Sequence, residues 1–292
     1  MDWVLALRTP FLSSFFELVT LAGYPLFLIM FLCFGYFALG SKRFFHTAIL
    51  LMAAGLLNSW LKDFGQDPRP DALYALDGRV GDSYGWPSGH TQIAVVLWGY
   101  LAYTMRQNWA YAAAAIFIPL QGFSRLYLGV HDLGDVASGF AIGVLCLAAY
   151  IAVQRHAKSR RRLAALTLPQ IVLALIGAQA LYIIFYPAHI GHQAPYWFIG
   201  LTTGWVIGRY VRGHEEVSLP GPIIMRALLA GALTGLCFVL MIVTTRLLPA
   251  LLDNHALVLY GSGTLFGLAV IGLLPYLVAK AGHILRRQAS RA

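Results

Sequence analysis

The sequence predicts an all-α fold, a polytopic bundle of transmembrane helices. Hydrophobic residues make up 59% of the 292 residues and charged residues only 11%, whereas charged residues make up roughly 25% of a soluble globular domain. Several apolar stretches also reach the roughly 20 residues that a helix needs to cross a bilayer. Composition and run length together indicate a chain that crosses the membrane several times.

The apolar stretches predict about nine transmembrane helices. In chain order they cover residues 12–39, 44–61, 91–106, 109–128, 134–154, 164–186, 196–211, 223–248 and 257–279. Residues 1–10 lack the basic front region and cleavage site of a signal peptide, so we expect no removable leader. Cys33, Cys146 and Cys237 are far apart in apolar stretches, so we expect neither a disulfide nor a metal site from them.

The distribution of charge predicts how the bundle is oriented. One set of connections is strongly basic, with Lys42, Arg43, Arg106, Arg155, Lys158, Arg160, Arg161, Arg162, Arg209, Arg212, Arg226, Lys280, Arg286, Arg287 and Arg291. The opposite set carries most of the carboxylates, namely Asp63, Asp67, Asp71, Asp77, Asp82, Asp132, Asp135 and Asp253. The positive-inside rule then places the N-terminus outside and the C-terminus in the cytoplasm, in an inner (plasma) membrane. The net charge of +9 thereby reflects topology and contacts to anionic lipid, and we expect no nucleic-acid partner.

The basic connection at 155–162 divides the chain into two predicted parts. Residues 1–154 hold every chemically suggestive group, and residues 155–292 form an additional transmembrane region whose role the sequence leaves open. Small residues recur there at four-residue spacing, as they also do at Gly139 and Gly143, which lets helix backbones approach closely. The pairs in the later part are Gly200 with Gly204, Gly204 with Gly208, Gly231 with Gly235, and Gly263 with Gly267. We expect tight packing within one chain, with a homodimer as the alternative.

Polar and charged residues cluster at the predicted outer ends of the spans in the first part. Reading along the chain, they are Lys62, Arg69 and Pro70, then Pro87, Ser88, Gly89 and His90, then Ser124, Arg125, His131 and Asp135. Such groups are costly at membrane depth, so their concentration on one side of a bundle predicts a functional site.

The residue types in this cluster point to phosphate chemistry. If the fifth helix begins near His131, the four-residue spacing to Asp135 places both on one face, and the carboxylate can hold one imidazole nitrogen. The other nitrogen is then an unprotonated nucleophile. The cationic side chains Lys62, Arg69 and Arg125 suit an anion. The helix start at 87–90 would bring backbone N–H groups to a phosphate and place His90 to protonate a leaving oxygen.

The assembled pattern is K-x6-R-P, then P-S-G-H, then S-R-x5-H-x3-D. It resembles the three-part signature of the type 2 phosphatidic acid phosphatase superfamily, over about residues 12–154. The resemblance implies that His131 attacks phosphorus and forms a phosphohistidine, that Asp135 orients it, and that His90 protonates the leaving group and later activates water. It also implies phosphate binding by Lys62, Arg69, Ser88, Gly89 and Arg125, with no metal and no cofactor.

The resemblance together with membrane embedding implies a phosphorylated lipid as the substrate, taken from the bilayer at the outer face. The candidate classes are phosphatidic acid, phosphatidylglycerophosphate, undecaprenyl diphosphate and sphingoid phosphates. Three alternatives stay open: a phosphotransferase that passes the phosphate to another lipid or sugar, a non-enzymatic transporter of an anion or lipid, and a membrane scaffold. The intact pair of histidines, His90 and His131, argues against the last two.

Overall fold

The computed structural model describes residues 2–186, 194–213, 216–217, 219, 221–252, 256–278 and 280. Within these ranges the regular structure is helical, without a β-strand. The helices are α1 (Asp2–Ala6), α2 (Pro10–Leu21), α3 (Pro25–Ala38), α4 (Ser41–Gly65), α5 (Gly89–Met105), α6 (Asn108–Tyr127), α7 (Leu133–Arg155), α8 (Ala157–Ala164), α9 (Leu168–Ile184), α10 (Ala194–Arg212), α11 (Ile223–Ile242), α12 (Leu248–Leu251) and α13 (Ala256–Leu268). Two short 3-10 turns, Ala72–Tyr74 and Gly78–Val80, lie between α4 and α5, and π-helical turns at Val243–Leu247 and Ala269–Leu273 extend α11 and α13.

Each predicted transmembrane stretch coincides with a helix or with a pair of helices. Four helical segments are long and apolar enough to cross a membrane, namely Ser41–Gly65, Leu133–Arg155, Ile223–Leu247 and Ala256–Val278. The number rises to six if each of two bent helix pairs is counted as one span. The protein is therefore an integral membrane protein with a helical fold, whereas nine spans and the orientation of the termini stay predictions.

The first predicted span, 12–39, is not one continuous helix. It breaks after Leu21 and resumes at Pro25 as α3, whose axis is bent by 56° from that of α2. The break follows from the sequence because Pro25 has no N–H to donate and disfavours helical geometry at the residue before it. At the other end of α2, Thr9 caps the helix by accepting from the Leu12 N–H, and Pro10 occupies the first turn.

Close helix contacts around the start of α5 follow from small and amide side chains. A Cβ atom on Gly139 would lie 2.5 Å from the Ser88 carbonyl oxygen, so α7 approaches α5 as the Gly139 and Gly143 spacing predicts. The buried amide of Asn58 donates to the Pro87 carbonyl at 3.2 Å and to Gln92 Oε1 at 2.9 Å. These contacts fasten α4 and α7 to the first turn of α5.

Small residues also bring α10 and α13 into backbone contact. A Cβ atom on Gly200 would lie 2.0 Å from the Tyr260 carbonyl oxygen, and one on Gly204 would lie 2.1 Å from the Thr264 carbonyl oxygen. This confirms the expected tight packing within one chain for these glycines. Gly231 and Gly235 differ, because a Cβ atom on either would meet nothing within 4 Å among the described residues. A homodimer stays a prediction.

Packing divides the chain into two compact units. The first comprises Met1–Leu28, Leu50–Ala165 and Phe185–Ile190, and the second comprises Ile29–Ile49, Leu166–Ile184 and Gly191–Ala292. Every predicted site residue belongs to the first unit. The predicted functional division into 1–154 and 155–292 stays a prediction. Arg286, Arg287 and Arg291 of the predicted cytoplasmic side, and Asp253 of the other, lie outside the described residues.

Candidate active site

The predicted site residues come from four places in the first compact unit. Lys62 lies in the last turn of α4, and Arg69 lies in the loop that follows it. Ser88, Gly89 and His90 form the start of α5, Arg125 lies in the last turn of α6, and His131 and Asp135 lie at the start of α7. The structure brings these separate segments together within that unit.

His131 and Asp135 form a buried hydrogen-bonded pair. The His131 Nδ1 atom lies 3.0 Å from Asp135 Oδ2, and both side chains are only 2% exposed. The expected contact is present, but its geometry differs from the expectation of a shared helical face, because α7 begins at Leu133 and His131 precedes it. Asp132 caps the helix by accepting from the Asp135 N–H at 2.8 Å, and Asp135 Oδ2 accepts from the Asp132 N–H at 3.2 Å. This capping box turns the Asp135 carboxylate back toward His131.

The partner of Nδ1 determines the tautomer of His131. An ionised carboxylate only accepts hydrogen bonds, so Nδ1 carries the proton and Nε2 carries the lone pair. Arg69 Nη1 lies 3.2 Å from Nε2. The guanidinium is held in place by Nε donating to the Ser83 carbonyl at 2.6 Å, Nη2 to Ser83 Oγ at 2.7 Å and Nη1 to the Val130 carbonyl at 2.7 Å. An anion that reaches Nε2 therefore lies beside a rigid positive charge.

Burial and positive charge keep the His131 imidazole neutral. Burial lowers the pKa of His131 well below its usual range, and the positive charges of Lys62, Arg69 and Arg125 lower it further. Burial also lowers the pKa of Arg69 to about 10, so its guanidinium remains charged at neutral pH. The site thus combines an uncharged nitrogen base with nearby cations, a combination that suits nucleophilic attack on a phosphate.

Lys62 is held against the loop that precedes α5. Its Nζ atom donates to the Tyr84 carbonyl at 2.5 Å and to the Gly85 carbonyl at 2.8 Å. Gly85 is also close to the His131–Asp135 pair, because a Cβ atom on it would lie 3.1 Å from Asp135 Oδ2. Lys62 consequently points into the site and is not merely a cation at the end of a membrane helix.

Ser88 and Gly89 place the N-terminus of α5 at the site. Ser88 is the N-cap residue and is fully buried, and its N–H donates to the Asp135 carbonyl at 2.9 Å. The helix start expected at 87–90 lies at Gly89 in the structure. A Cβ atom on Gly89 would lie 2.8 Å from Asn58 Oδ1, so α4 packs directly on this turn. The backbone N–H groups of a helix N-terminus suit a phosphate.

His90 is packed against the break between α2 and α3. Its ring meets the Tyr24 ring edge to face, with centroids 4.7 Å apart, and a Cβ atom on Gly23 would lie 2.2 Å from His90 Cδ2. Its Nε2 atom is buried and has no hydrogen-bond partner among the described residues. The His90 ring is therefore held in a fixed orientation, and its Nε2 atom makes no hydrogen bond within the described part of the chain.

Arg125 is fully buried and is paired with a carboxylate that sequence reasoning did not select. Its Nη1 atom donates to Asp77 Oδ2 at 2.9 Å and also to Thr20 Oγ1. Asp77 accepts further hydrogen bonds from the Tyr24 hydroxyl at 2.6 Å and from Arg79 Nε at 2.7 Å. Burial raises the pKa of Asp77, but the hydrogen bonds from Tyr24, Arg79 and Arg125 outweigh it and hold that pKa well below its usual range.

The sequence placed Asp77 among the outer-face carboxylates but gave no partner for it. Neither Asp77 nor Tyr24 has a distinctive spacing to Arg125, which is 48 residues beyond Asp77. The contact depends on the path of the loop between α4 and α5 and on the break after α2. In the sequence, Asp77 is marked only by the turn-forming Gly78 that follows it, and such a pair is too common to identify a partner.

The fold and the site together define a class: helical membrane proteins with a buried histidine–aspartate pair in a cationic setting suited to phosphate. Residues 42–161 match the family model of the PAP2 superfamily, and the chain carries a PAP2-superfamily domain. The family predicted from the three motifs is therefore confirmed.

Individual relatives support the same assignment. The chain is 29% identical over 205 residues to lipid phosphate phosphatase delta of Arabidopsis thaliana, covering 61% of this chain and 48% of that protein. It is 29% identical over 156 residues to phosphatidylglycerophosphatase B of Bacillus subtilis, covering 48% of this chain and 73% of that protein. The chain thus spans about half the length of the plant relative and about three-quarters of the bacterial one.

A solved structure is also similar to part of the chain. It is the crystal structure of a transmembrane PAP2-type phosphatidylglycerolphosphate phosphatase from Bacillus subtilis. The two chains are 26% identical, with a TM-score of 0.44 over 53% of this chain and 83% of that one.

Proposed function

We propose that the protein is an integral-membrane lipid phosphatase that hydrolyses a lipid phosphate or diphosphate through a phosphohistidine at His131. The observation that carries the proposal is the hydrogen bond of His131 Nδ1 to Asp135, which leaves the Nε2 lone pair beside the Arg69 guanidinium. The names of the relatives support the substrate class, since they include phosphatases of lipid phosphates, lipid A and sphingoid phosphates.

In the first step, His131 Nε2 attacks the phosphorus atom. A bond forms between Nε2 and phosphorus while the bond from phosphorus to the leaving oxygen breaks. His90, protonated at this stage, donates its proton to that oxygen, so that an alcohol leaves, or a lipid monophosphate when the substrate is a diphosphate. The Nδ1 proton stays on His131, where the Asp135 carboxylate stabilises the positive charge that develops on the ring.

In the second step, water replaces the nitrogen. His90, now neutral, accepts a proton from the water molecule as its oxygen attacks phosphorus. The bond from Nε2 to phosphorus breaks, inorganic phosphate is released, and His131 recovers its lone pair while His90 is again protonated. Each group thereby returns to its starting state after one turnover.

The remaining site residues stabilise the phosphate oxygens through both steps. Lys62, Arg69 and Arg125 supply positive charge, and Ser88 and Gly89 supply the N-terminus of α5. Phosphoryl transfer depends chiefly on positioning and charge stabilisation. Among the described residues, no three His, Cys, Asp or Glu side chains are grouped as ligands of one metal ion would be. Metal independence rests on the family resemblance and is tested directly below.

The site is proposed to face the periplasm or exterior of an inner (plasma) membrane. The support is the charge asymmetry of the connections, which places the carboxylate-rich loops and the site residues on the outer side. From there, a phosphate headgroup could enter the site sideways while its hydrocarbon part remains in the leaflet. Phosphatidic acid, phosphatidylglycerophosphate, undecaprenyl diphosphate and sphingoid phosphates all meet this description.

The test is phosphate release by the purified full chain in detergent, with a chelator present, from a panel of these lipids. We expect release from at least one lipid and its complete loss in His131→Ala. His156→Ala is the matched control, because His156 is exposed and caps α8 far from the site residues in sequence. Quenching a radiolabelled reaction in alkaline denaturant, in which the N–P bond of phosphohistidine is stable, should trap phosphate on the wild-type protein and on His156→Ala but not on His131→Ala.

Three outcomes would contradict the proposal or redirect it. A requirement for a divalent metal, or activity that survives His131→Ala, would refute the mechanism. Phosphate transferred to an added alcohol or sugar in place of water would identify a phosphotransferase. Bound lipid with neither reaction would favour a transporter.

A further inference from the structure

An apolar cavity of about 400 Å³ lies beside His90 in the first compact unit. Its walls come from the two sides of the break between α2 and α3 and from one face each of α5 and α6. Besides His90 and Gln121, the walls are almost entirely hydrocarbon, with Leu18, Phe27, Ile93, Leu97, Trp98 and Phe117. The Trp98 and Phe117 rings stack 4.6 Å apart and form one rigid wall.

The polar side of the cavity is formed by two side chains with different roles. The amide of Gln121, in the orientation its surroundings require, donates to the Val19 carbonyl at 2.9 Å and accepts from the Gly23 N–H at 2.7 Å. Gln121 thus satisfies backbone groups that the helix break exposes. His90, by contrast, keeps a buried Nε2 atom with no partner in the described part of the chain.

The cavity is open to the surroundings of the bundle along an apolar rim. Leu18 is 68% exposed, and Leu21, Phe27 and Phe117 are each about 40% exposed. In an integral membrane protein, such side chains face lipid hydrocarbon. A hydrocarbon chain could therefore pass from the bilayer into the cavity without crossing water.

We propose that this cavity binds the hydrocarbon chain of the substrate's leaving group. The inference rests on the proposed function, in which His90 protonates the leaving oxygen. Where the hydrocarbon chain is joined directly to that oxygen, as in an alkyl or sphingoid phosphate, the chain must begin close to His90. The cavity is the apolar space that the structure provides there.

The volume of the cavity limits what it holds. An apolar cavity of about 150 Å³ accommodates benzene, so by proportion 400 Å³ accommodates roughly fifteen carbon atoms. That is the size of one hydrocarbon chain. The substrate class is therefore a phosphate ester or diphosphate whose leaving group inserts a single long chain, and any second chain stays outside the rim in the bilayer.

The first test compares alkyl phosphates of increasing length, from butyl through octyl to dodecyl phosphate, at fixed detergent concentration. Ala94 lines the cavity and is buried, and Ala94→Phe would fill part of it. Ala115→Phe is the matched control, because Ala115 is an exposed residue of α6 that does not line the cavity. Alkyl chains partition into micelles to the same extent for every variant at one detergent concentration, so partitioning does not contribute to the difference between variants.

We expect Ala94→Phe to lower the ratio of kcat/KM for dodecyl phosphate to that for butyl phosphate by about tenfold or more. Each methylene excluded from an apolar site costs up to about fourfold in binding, so displacing two methylenes suffices. Ala115→Phe should leave the ratio within about twofold of wild type. An unchanged ratio in a folded Ala94→Phe protein would overturn the proposal.

A second measurement does not depend on turnover or on the folding of that variant. An alkyl phosphate with a photoreactive diazirine at mid-chain is irradiated with full-length His131→Ala protein, and the labelled peptides are identified by mass spectrometry. Labels on α2, α5 and α6 near Leu18, Leu97 and Phe117 support the cavity, and labels confined elsewhere overturn it. If the wild type hydrolyses no alkyl or lipid phosphate but the cavity is labelled, the proposed function fails and the binding site stands.

Discussion

Asp77→Asn is the substitution that best tests how the buried cation Arg125 is held. The Asp77 carboxylate accepts hydrogen bonds from Tyr24 at 2.6 Å, Arg79 at 2.7 Å and Arg125 at 2.9 Å. The side chains of Asp77 and Arg125 are 0% and 1% exposed. Asparagine keeps the shape but removes the negative charge and turns one acceptor into an NH2 group. The Arg125 guanidinium would then be buried without a counter-charge.

The expected magnitude follows from the burial of each pair. Removing one partner of a buried ion pair costs about 3–5 kcal/mol, and because asparagine keeps one acceptor we expect the lower end, about 3 kcal/mol. The Arg79 side chain is 45% exposed, so its ion pair with Asp77 adds little to the free energy of unfolding. A loss of this size corresponds to a fall of roughly 6–12 °C in the apparent Tm of a chain of this length.

The assay is thermal unfolding of the detergent-solubilised protein, followed by tryptophan fluorescence, with Asp82→Asn as the matched control. Asp82 is an exposed carboxylate of the same loop. Because the folded pKa of Asp77 lies below its unfolded value, its stabilisation is fully present above about pH 4 and is lost as pH falls through the folded pKa. The difference in Tm between wild type and Asp77→Asn should therefore be constant from pH 5 to pH 8. A Tm equal to that of Asp82→Asn would refute the ion-pair argument.

Three further predictions follow from the same geometry. Gly23→Ala should reduce kcat by about 100-fold in protein that thermal unfolding shows to be folded, because its Cβ would meet His90 Cδ2 at 2.2 Å and displace the ring. A wild-type kcat would show that the ring position is unimportant. As pH falls, kcat/KM should begin to decline only below pH 6.5, because burial lowers the pKa of His131 in the folded protein. A decline centred at or above pH 6.5 would contradict the conclusion that the buried His131 is neutral. Gly204→Val should lower the apparent Tm by roughly 6 °C or more, because its Cβ would lie 2.1 Å from the Thr264 carbonyl oxygen. Gly231→Val should not, because a Cβ there meets no atom of the described residues within 4 Å.

The helical class and the positions of the helices could be predicted from sequence because they depend on local properties. Apolar run length determines which stretches can cross a bilayer, and the nine predicted stretches coincide with helices or helix pairs in the structure. The contact of His131 with Asp135 was predictable for a similar reason, since four residues can bring two side chains together near a helix start. The close approach of α10 and α13 could likewise be predicted from their glycine pairs without knowing the path of the loops.

The errors in detail arose where one local rule competed with another. The run at 12–39 is apolar enough for a single span, yet Pro25 ends the helical hydrogen bonding and produces a bend of 56°. His131 was expected on the first turn of its helix, but the Asp132 cap moves the helix start to Leu133. In each case a backbone hydrogen-bonding requirement outweighed hydrophobic pattern and spacing.

Composition and short motifs were sufficient to predict the membrane helical class, the family and a candidate set of phosphate-site residues, because each is a local property of the sequence. The pairing of Asp77 with Arg125 could be seen only in the folded chain, as could the contact of the break after α2 with His90 and the apolar cavity beside it. These contacts join residues separated by tens of positions, and loop path and helix packing, rather than any local periodicity, bring them together.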